Sequence, residues 1–137
     1  MRVRAHAISL LALVLGGCAA AGPLPRGAVR CRGSSAPAVW TVQPGDVLQG
    51  VVGDTYGRPI VGAHVRVRRL GADSTAERPG ETGRHGAFGI DSVPPGRYAA
   101  HAHARFHGVW VDTVELAYDR GTVPRIQLCT RPMRRIG

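Results

Sequence analysis

The chain has 137 residues and a formal net charge of +9, and all 18 of its Lys and Arg positions are arginine. Its length suits one domain rather than two. A basic protein can bind nucleic acid, but no helix-turn-helix or zinc-finger spacing appears and no aromatic residues are interleaved with the arginines, so we expect no nucleic-acid partner. Attraction to anionic lipid head groups or to an acidic polymer stays open, beside the simpler and favoured interpretation that the arginines are solvated strand and loop positions.

The first 17 residues have the pattern of a secretory signal. Two arginines precede an apolar run over residues 8–15, and small residues follow it. The run is shorter than the roughly 20 apolar residues that span a bilayer. Two glycines stand directly before Cys18, an arrangement that resembles a bacterial lipobox, in which the chain is cleaved before the cysteine and its thiol is acylated. The alternative is an ordinary secretory signal that happens to contain a cysteine.

Lipidation at Cys18 predicts a membrane partner, held by palmitate or similar acyl chains alone. The next residue is Ala19 rather than Asp. In a host that uses Asp at this place to retain lipoproteins at the inner membrane, alanine favours sorting to the outer membrane. We therefore expect an exported protein that is lipid-anchored in the outer membrane or elsewhere in the cell envelope.

Residues 18–37 predict a flexible tether, because Ala, Gly, Pro and Ser dominate and neither strand nor helix periodicity runs through them. One β domain is expected over residues 38–130, followed by a short basic tail over residues 131–137. Cys31 and Cys129 flank this domain, and in an oxidising compartment a pair so placed predicts a disulfide.

Strand signals begin at Val47. Residues 48–52 alternate between apolar and other side chains, and residues 63–68 alternate more strongly, with His64, Arg66 and Arg68 facing outward. Residues 71–86 read as a polar, glycine-rich connection. Further strands are predicted at 87–90, from Tyr98 onward, at 107–116 and at 122–128, with a first strand near residues 38–42. Roughly seven short strands and no helical periodicity predict an all-β sandwich.

Three blocks of this strand region match a known pattern. Their positions are Gly50, Asp54, Gly57, Pro59, Gly62 and Ala63 in the first block, Gly86 and Phe88 in the second, and Pro95, Gly96 and Tyr98 in the third. The set resembles the carboxypeptidase regulatory-like domain, a transthyretin-like Greek-key β-sandwich, over about residues 47–128. The resemblance implies a noncatalytic domain without a cofactor, which assists folding or contacts a protein or a carbohydrate. Nothing in the chain resembles the zinc-binding catalytic domain of a carboxypeptidase.

The strand that starts at Tyr98 carries the one group of side chains in the sequence that could bind a metal ion or take part in a reaction. Alternation places Tyr98 and Phe106 on the core face with the alanines between them, and His101, His103, Arg105 and His107 on the outer face. Two imidazoles two residues apart can reach one metal ion, and His64 is the candidate third ligand. Arg105 between the histidines and the lack of a carboxylate nearby in sequence oppose a metal, so solvated histidines are the favoured interpretation.

An enzyme alternative starts from the same residues. His101-Ala102-His103 resembles the His-x-His pair of the intradiol ring-cleavage dioxygenases, which share a related sandwich and bind nonhaem iron with two tyrosines as well. The chain has three tyrosines, and Tyr98 is expected on the face opposite to the histidines. A short motif without its structural context is weak evidence for an enzyme. The sequence therefore predicts a binding or scaffolding protein with no enzyme activity. The alternative is a protein that binds a metal or another small ligand.

Overall fold

A computed structural model describes residues 29–32, 38–71 and 76–131. The predicted signal, Cys18 and most of the predicted tether and tail lie outside these residues. The strands are β1 (Ala38–Thr41), β2 (Leu48–Asp54), β3 (His64–Arg69), β4 (Glu77–Glu81), β5 (Ala87–Ile90), β6 (Gly96–His103), β7 (Trp110–Ala117) and β8 (Arg125–Leu128). One 3₁₀ turn, Arg84–Gly86, precedes β5. Within the described ranges, no helix is both long and apolar enough to cross a membrane.

The strands form two sheets, as the predicted sandwich requires. A five-stranded sheet has the order β1-β7-β6-β3-β4, and a three-stranded sheet has the order β5-β2-β8. The β1–β7 and β2–β8 pairs are parallel, and the other pairs are antiparallel. The described residues therefore confirm the all-β sandwich and contain eight strands rather than seven.

The additional strand is β4, which lies inside the segment that the sequence assigned to a connection. Its sequence, ERPGE, does not alternate, and nearly all of it is exposed. It pairs with β3 on one side only, at the edge of the five-stranded sheet. An edge strand with solvent on one face and one flank needs no apolar face, and it tolerates Pro79, which cannot donate to a ladder. Hydrophobic periodicity therefore could not reveal this strand.

The core fills the space between the sheets. The alternation predicted for β2 and β3 is confirmed, since Val65 and Val67 are fully buried whereas His64 and Arg66 are exposed. A large neighbour fills the core space that the small alanine side chains of β6 leave, because Ala102 pairs with Trp110 of β7. The Trp110 ring stacks on Trp40 of β1, with ring centroids 5.7 Å apart. The two indoles therefore supply the apolar area that the small side chains of β6 lack.

The placement of Phe106 in the core was wrong. β6 ends at His103, and the chain then turns, with the His107 N–H donating to the Ala104 carbonyl at 3.1 Å. Phe106 has a φ of +66° in this turn, and its side chain is 64% exposed. Strand alternation holds only as far as the strand does. For the same reason Arg105 leaves the histidine face, and its guanidinium lies 4.8 Å from the Phe106 ring centroid.

The predicted disulfide between Cys31 and Cys129 is confirmed. Their Cα atoms are 5.4 Å apart, a distance typical of disulfides. The Cys31 N–H donates to the Val109 carbonyl at 2.8 Å, and the Val109 N–H donates to the Val29 carbonyl at 2.7 Å. The bridge and these bonds fix residues 29–31 beside the start of β7.

Five of the eleven matched motif positions lie in the connection between β2 and β3 or directly before it: Asp54, Gly57, Pro59, Gly62 and Ala63. Asp54 accepts hydrogen bonds from the Tyr56 and Arg58 backbone N–H groups, both at 2.9 Å, and from the Arg58 side chain at 2.7 Å. Burial raises the pKa of the Asp54 carboxyl, but the bonds from Arg58 and Tyr56 outweigh it, so the pKa lies below its ordinary value of 3.8. Gly86 has a φ of +71°, and a Cβ there would collide with the Val52 carbonyl oxygen.

Candidate functional site

The three histidines named as candidate metal ligands lie side by side on the outer face of the five-stranded sheet. The antiparallel register of β3 and β6 places His64 opposite His103. The ring centroids of this pair are 5.1 Å apart, and those of His101 and His103 are 5.2 Å apart. We refer to His64, His101 and His103 as the histidine cluster. The alternation of side chains in the sequence predicted that these three histidines face outward. The register between β3 and β6 places His64 beside the other two.

The surroundings of the two β6 histidines, His101 and His103, favour neutral imidazoles. Burial lowers the pKa of His101, and Arg66, its cross-strand neighbour, lowers it further against a smaller opposing effect of Glu77. Burial also lowers the pKa of His103, followed by the effects of His101, His64 and Arg66. The buried Nδ1 atom of His103 has no hydrogen-bond partner. Neutral rings with a free lone pair are the form of histidine that binds metals.

Carboxylates lie closer to the cluster than the sequence indicated, because β4 brings them there. Glu81 stands opposite His64 in the β3–β4 register. Glu77 forms an exposed ion pair with Arg66, with 3.6 Å between Arg66 Nη1 and Glu77 Oε2. The rings of the cluster are nevertheless stacked or tilted against one another. In the part of the chain that the structure describes, no three His, Cys, Asp or Glu side chains are arranged to hold a metal ion.

None of the three tyrosines joins the histidine cluster. Tyr98 is buried on the core face, where its hydroxyl donates to the Pro94 carbonyl at 2.7 Å, and burial raises the pKa of this hydroxyl. Tyr56 lies in the β2–β3 connection and Tyr118 lies after β7, where its hydroxyl donates to Asp46. The opposite orientation predicted for Tyr98 is thus confirmed. The arrangement offers two imidazoles on β6 without the phenolates that an iron site of the dioxygenase type requires.

One end of the sandwich is a second candidate binding surface, which the sequence alone did not indicate. The described segments at this end are residues 29–32, 55–63, 82–86, 104–109 and 129–131, which precede, connect or follow the strands there. We call it the tethered end, because residues 29–31 and the disulfide lie in it. The far end consists of the described connections 42–47, 70–71, 76, 91–95 and 118–124.

The two ends differ in charge and in exposed apolar surface. The tethered-end segments contain six arginines and no Asp or Glu: Arg30, Arg32, Arg58, Arg84, Arg105 and Arg131. The described far-end segments contain three aspartates and one arginine: Asp46, Asp91, Asp119 and Arg120. Tyr56, Val61 and Phe106, which are 80%, 68% and 64% exposed, lie at the tethered end, whereas Tyr118 and Val123 at the far end are 47% and 56% exposed. Because successive connections alternate between the ends, this segregation can be read from the sequence only after every strand, including β4, has been placed.

Comparison with known proteins agrees with the fold. The family model described as the carboxypeptidase regulatory-like domain matches residues 47–128. The matched range contains β2 to β8 and every motif position singled out in the sequence, and it lies between the two bridged cysteines. A search of curated proteins finds no match.

Proposed function

The chain belongs to the carboxypeptidase regulatory-like domain family, and on that premise we propose that it is a lipid-anchored, noncatalytic binding module of the cell envelope. Domains of this family are noncatalytic modules. The family match carries the proposal, because it spans seven of the eight described strands. The described part of the chain is thus almost entirely this module, and its work is to contact an envelope protein or carbohydrate.

The disulfide supports the exported location. Disulfides form and persist in oxidising compartments, and they are rare in the cytosol. The Cys31–Cys129 bridge closes a chain segment of 98 residues around the whole matched domain. Together with the signal pattern of residues 1–17, which lies outside the described residues, it favours a protein that folds after export.

The lipid anchor is tested by substituting the acylated residue in cells. Cys18→Ala should abolish incorporation of labelled palmitate and release the protein from membranes that have been washed at high salt. Ala19→Asp is the matched variant, because it preserves the cysteine: it should keep the label, and in a host that reads Asp there it should move the protein to the inner membrane. Retention of the Cys18→Ala protein after the wash, or an unlabelled wild type, would contradict the proposal.

The binding role is tested on intact cells. Photo-crosslinkers placed one at a time at exposed positions of the described surface should give discrete adducts with an envelope protein or with cell-wall glycan from one face only. A crosslinker at a buried position such as Val65 is the control, since its side chain is fully covered. Adducts spread evenly over all faces, or none from any face, would contradict a specific binding module.

The histidine cluster supports a second candidate function, the binding of a divalent metal ion. The observation that favours it is the gathering of three imidazoles with centroid separations of 5.1 and 5.2 Å. Two imidazoles bound to one tetrahedral metal ion place their centroids about 5 Å apart, given metal–nitrogen bonds of about 2.0 Å. Metal binding would require the side chains to rotate out of their present stacked and tilted arrangement, so that their nitrogens point to a common position.

Titration calorimetry with zinc, copper and nickel tests this candidate. We expect binding at a ratio of one metal ion per chain, and its loss in a His101→Ala, His103→Ala double variant. His85→Asn is the matched control, because His85 lies in the 3₁₀ turn with a φ of +67°, a conformation that Asn tolerates. Absence of binding, or equal binding by the double variant and the control, would remove the metal candidate and leave the binding module untouched.

A further inference from the structure

We propose that the tethered end docks on an anionic lipid surface, with the Tyr56, Val61 and Phe106 side chains in the headgroup region. The inference identifies the face of the module that meets the membrane. One of its arguments, the direction in which the chain enters the domain, rests on the proposed lipid anchor. The charge and the exposed side chains of the same end support it independently of acylation.

The chain direction places the first described residue at the tethered end. Arg30 forms a parallel bridge with Val109, directly before β7, so residues 29–31 run away from this end together with β7. Val29, the first described residue, therefore lies at the tethered end. Eleven residue steps separate Cys18 from Val29 and span at most about 40 Å when fully extended. The far end lies a further strand length away, roughly 25 Å for β7, which an extended tether can still cover. The chain direction therefore gives the tethered end the shorter path to the anchor without excluding the far end.

The charge distribution orients the module in the same way. An anionic leaflet attracts arginines near its surface and repels carboxylates, with a range set by the Debye length of about 8 Å at physiological salt. The tethered-end segments carry arginines without any Asp or Glu, whereas the described far-end segments carry three aspartates and one arginine. When the terminal residues of the strands are included, Asp54 and Glu81 join the tethered end, and Arg69, Glu77 and Arg125 join the far end. The tethered end then keeps a formal net charge of +4 against −1 for the far end, although Asp54 neutralises Arg58 in an ion pair. An anionic leaflet therefore attracts the tethered end more strongly than the far end.

The exposed apolar side chains of this end have the composition of a membrane-interface contact. Aromatic rings beside cationic side chains are favoured at the headgroup level. The Arg58 guanidinium lies 5.3 Å from the Tyr56 ring centroid, and Arg105 lies 4.8 Å from that of Phe106. One pair lies in the connection that leads into β3 and the other in the connection that leaves β6, and the start of β3 is paired with the end of β6. The left-handed backbone of Phe106 holds its ring out of the core.

Vesicle co-sedimentation tests the docking surface. The protein is the chain from residue 19 onward, which lacks the acylation site and retains every described residue. We expect it to bind vesicles that contain phosphatidylglycerol more tightly than pure phosphatidylcholine vesicles, and to be released by salt. Phe106→Asn, which suits the left-handed backbone, should weaken this binding about tenfold. Arg84→Gln with Arg105→Gln should weaken it by a similar factor.

The far end supplies matched controls. Val123→Ser removes a side chain that is 56% exposed there, and Arg120→Gln removes a cation, and neither should weaken binding. Three results would overturn the inference: no preference for anionic vesicles, equal losses at the two ends, or tight binding to a soluble polyanion that Phe106→Asn leaves unchanged. Palmitate labelling reports on the anchor and these vesicles report on docking, so failure of one is distinguishable from failure of the other.

Discussion

Replacing Cys31 and Cys129 together by alanine should lower the free energy of unfolding by about 4–5 kcal/mol. The magnitude follows from the 98-residue segment that the bridge closes. Cross-linking a loop of that size removes conformational entropy from the unfolded chain, and the effect grows slowly with loop length. The family match falls wholly between the two cysteines, so we expect the variant to keep its strands while losing a large share of its stability.

Urea denaturation followed by tryptophan fluorescence measures this loss, because Trp40 and Trp110 are buried against each other. Wild-type protein under reducing conditions is the control, since it loses the cross-link while it keeps both sulfur atoms. If the cross-link acts through the unfolded chain, the reduced wild type and the alanine variant should lose similar free energies. A loss below about 1 kcal/mol in both would refute the entropic reasoning. A loss confined to the alanine variant would assign the effect to packing around Gly108, which lies against both sulfurs.

Three further substitutions test the fold and its acid response. Asp54→Asn should lower the urea midpoint at neutral pH and leave it nearly unchanged in acid: the pKa of Asp54 is depressed in the folded state, so its contribution is complete above the ordinary value of 3.8 and is lost as pH falls through the lower folded value. Equal differences between wild type and variant across this pH range would contradict that reasoning. Thr82→Val should destabilise the protein by about 1–3 kcal/mol, because the buried Thr82 hydroxyl accepts from the Ala63 N–H at 2.8 Å and donates to the Ile60 carbonyl at 2.6 Å; thermal unfolding measures it, and an unchanged midpoint would show that water replaces both bonds. Trp110→Ala should cost about 3–5 kcal/mol in urea denaturation, because it removes the indole stacked on Trp40 beside Ala102; a loss below about 1 kcal/mol would mean that the neighbouring side chains refill the space.

The central part of the sandwich was predictable from the sequence because its strands have one buried and one solvated face. Val65 and Val67 alternate with His64 and Arg66, and this period of two is the direct consequence of strand geometry. The turns were predictable because a positive φ favours glycine. The pairing of Cys31 with Cys129 was predictable because an oxidising compartment favours a disulfide.

The features that escaped prediction depend on contacts between distant segments. β4 has no apolar face because it lies at a sheet edge, and Phe106 leaves the core because β6 ends three residues before it. His64 was named as a candidate third ligand from its outward direction, but its place opposite His103 comes from the β3–β6 register, which no local pattern encodes. The separation of arginines from aspartates likewise arises only when antiparallel strands send alternate connections to opposite ends.

The sequence by itself determined which residues form most strands, which faces are apolar, and which cysteines pair, because each of these follows from the chemistry of neighbouring residues or of one compartment. Only the tertiary structure decided what those strands bring together, namely the three imidazoles on one sheet face and, at one end, the excess of arginines together with the two most exposed aromatic side chains, Tyr56 and Phe106. The reason is physical: side-chain alternation is a property of a single strand, whereas register and end-to-end polarity are properties of strand pairs that are far apart in the chain.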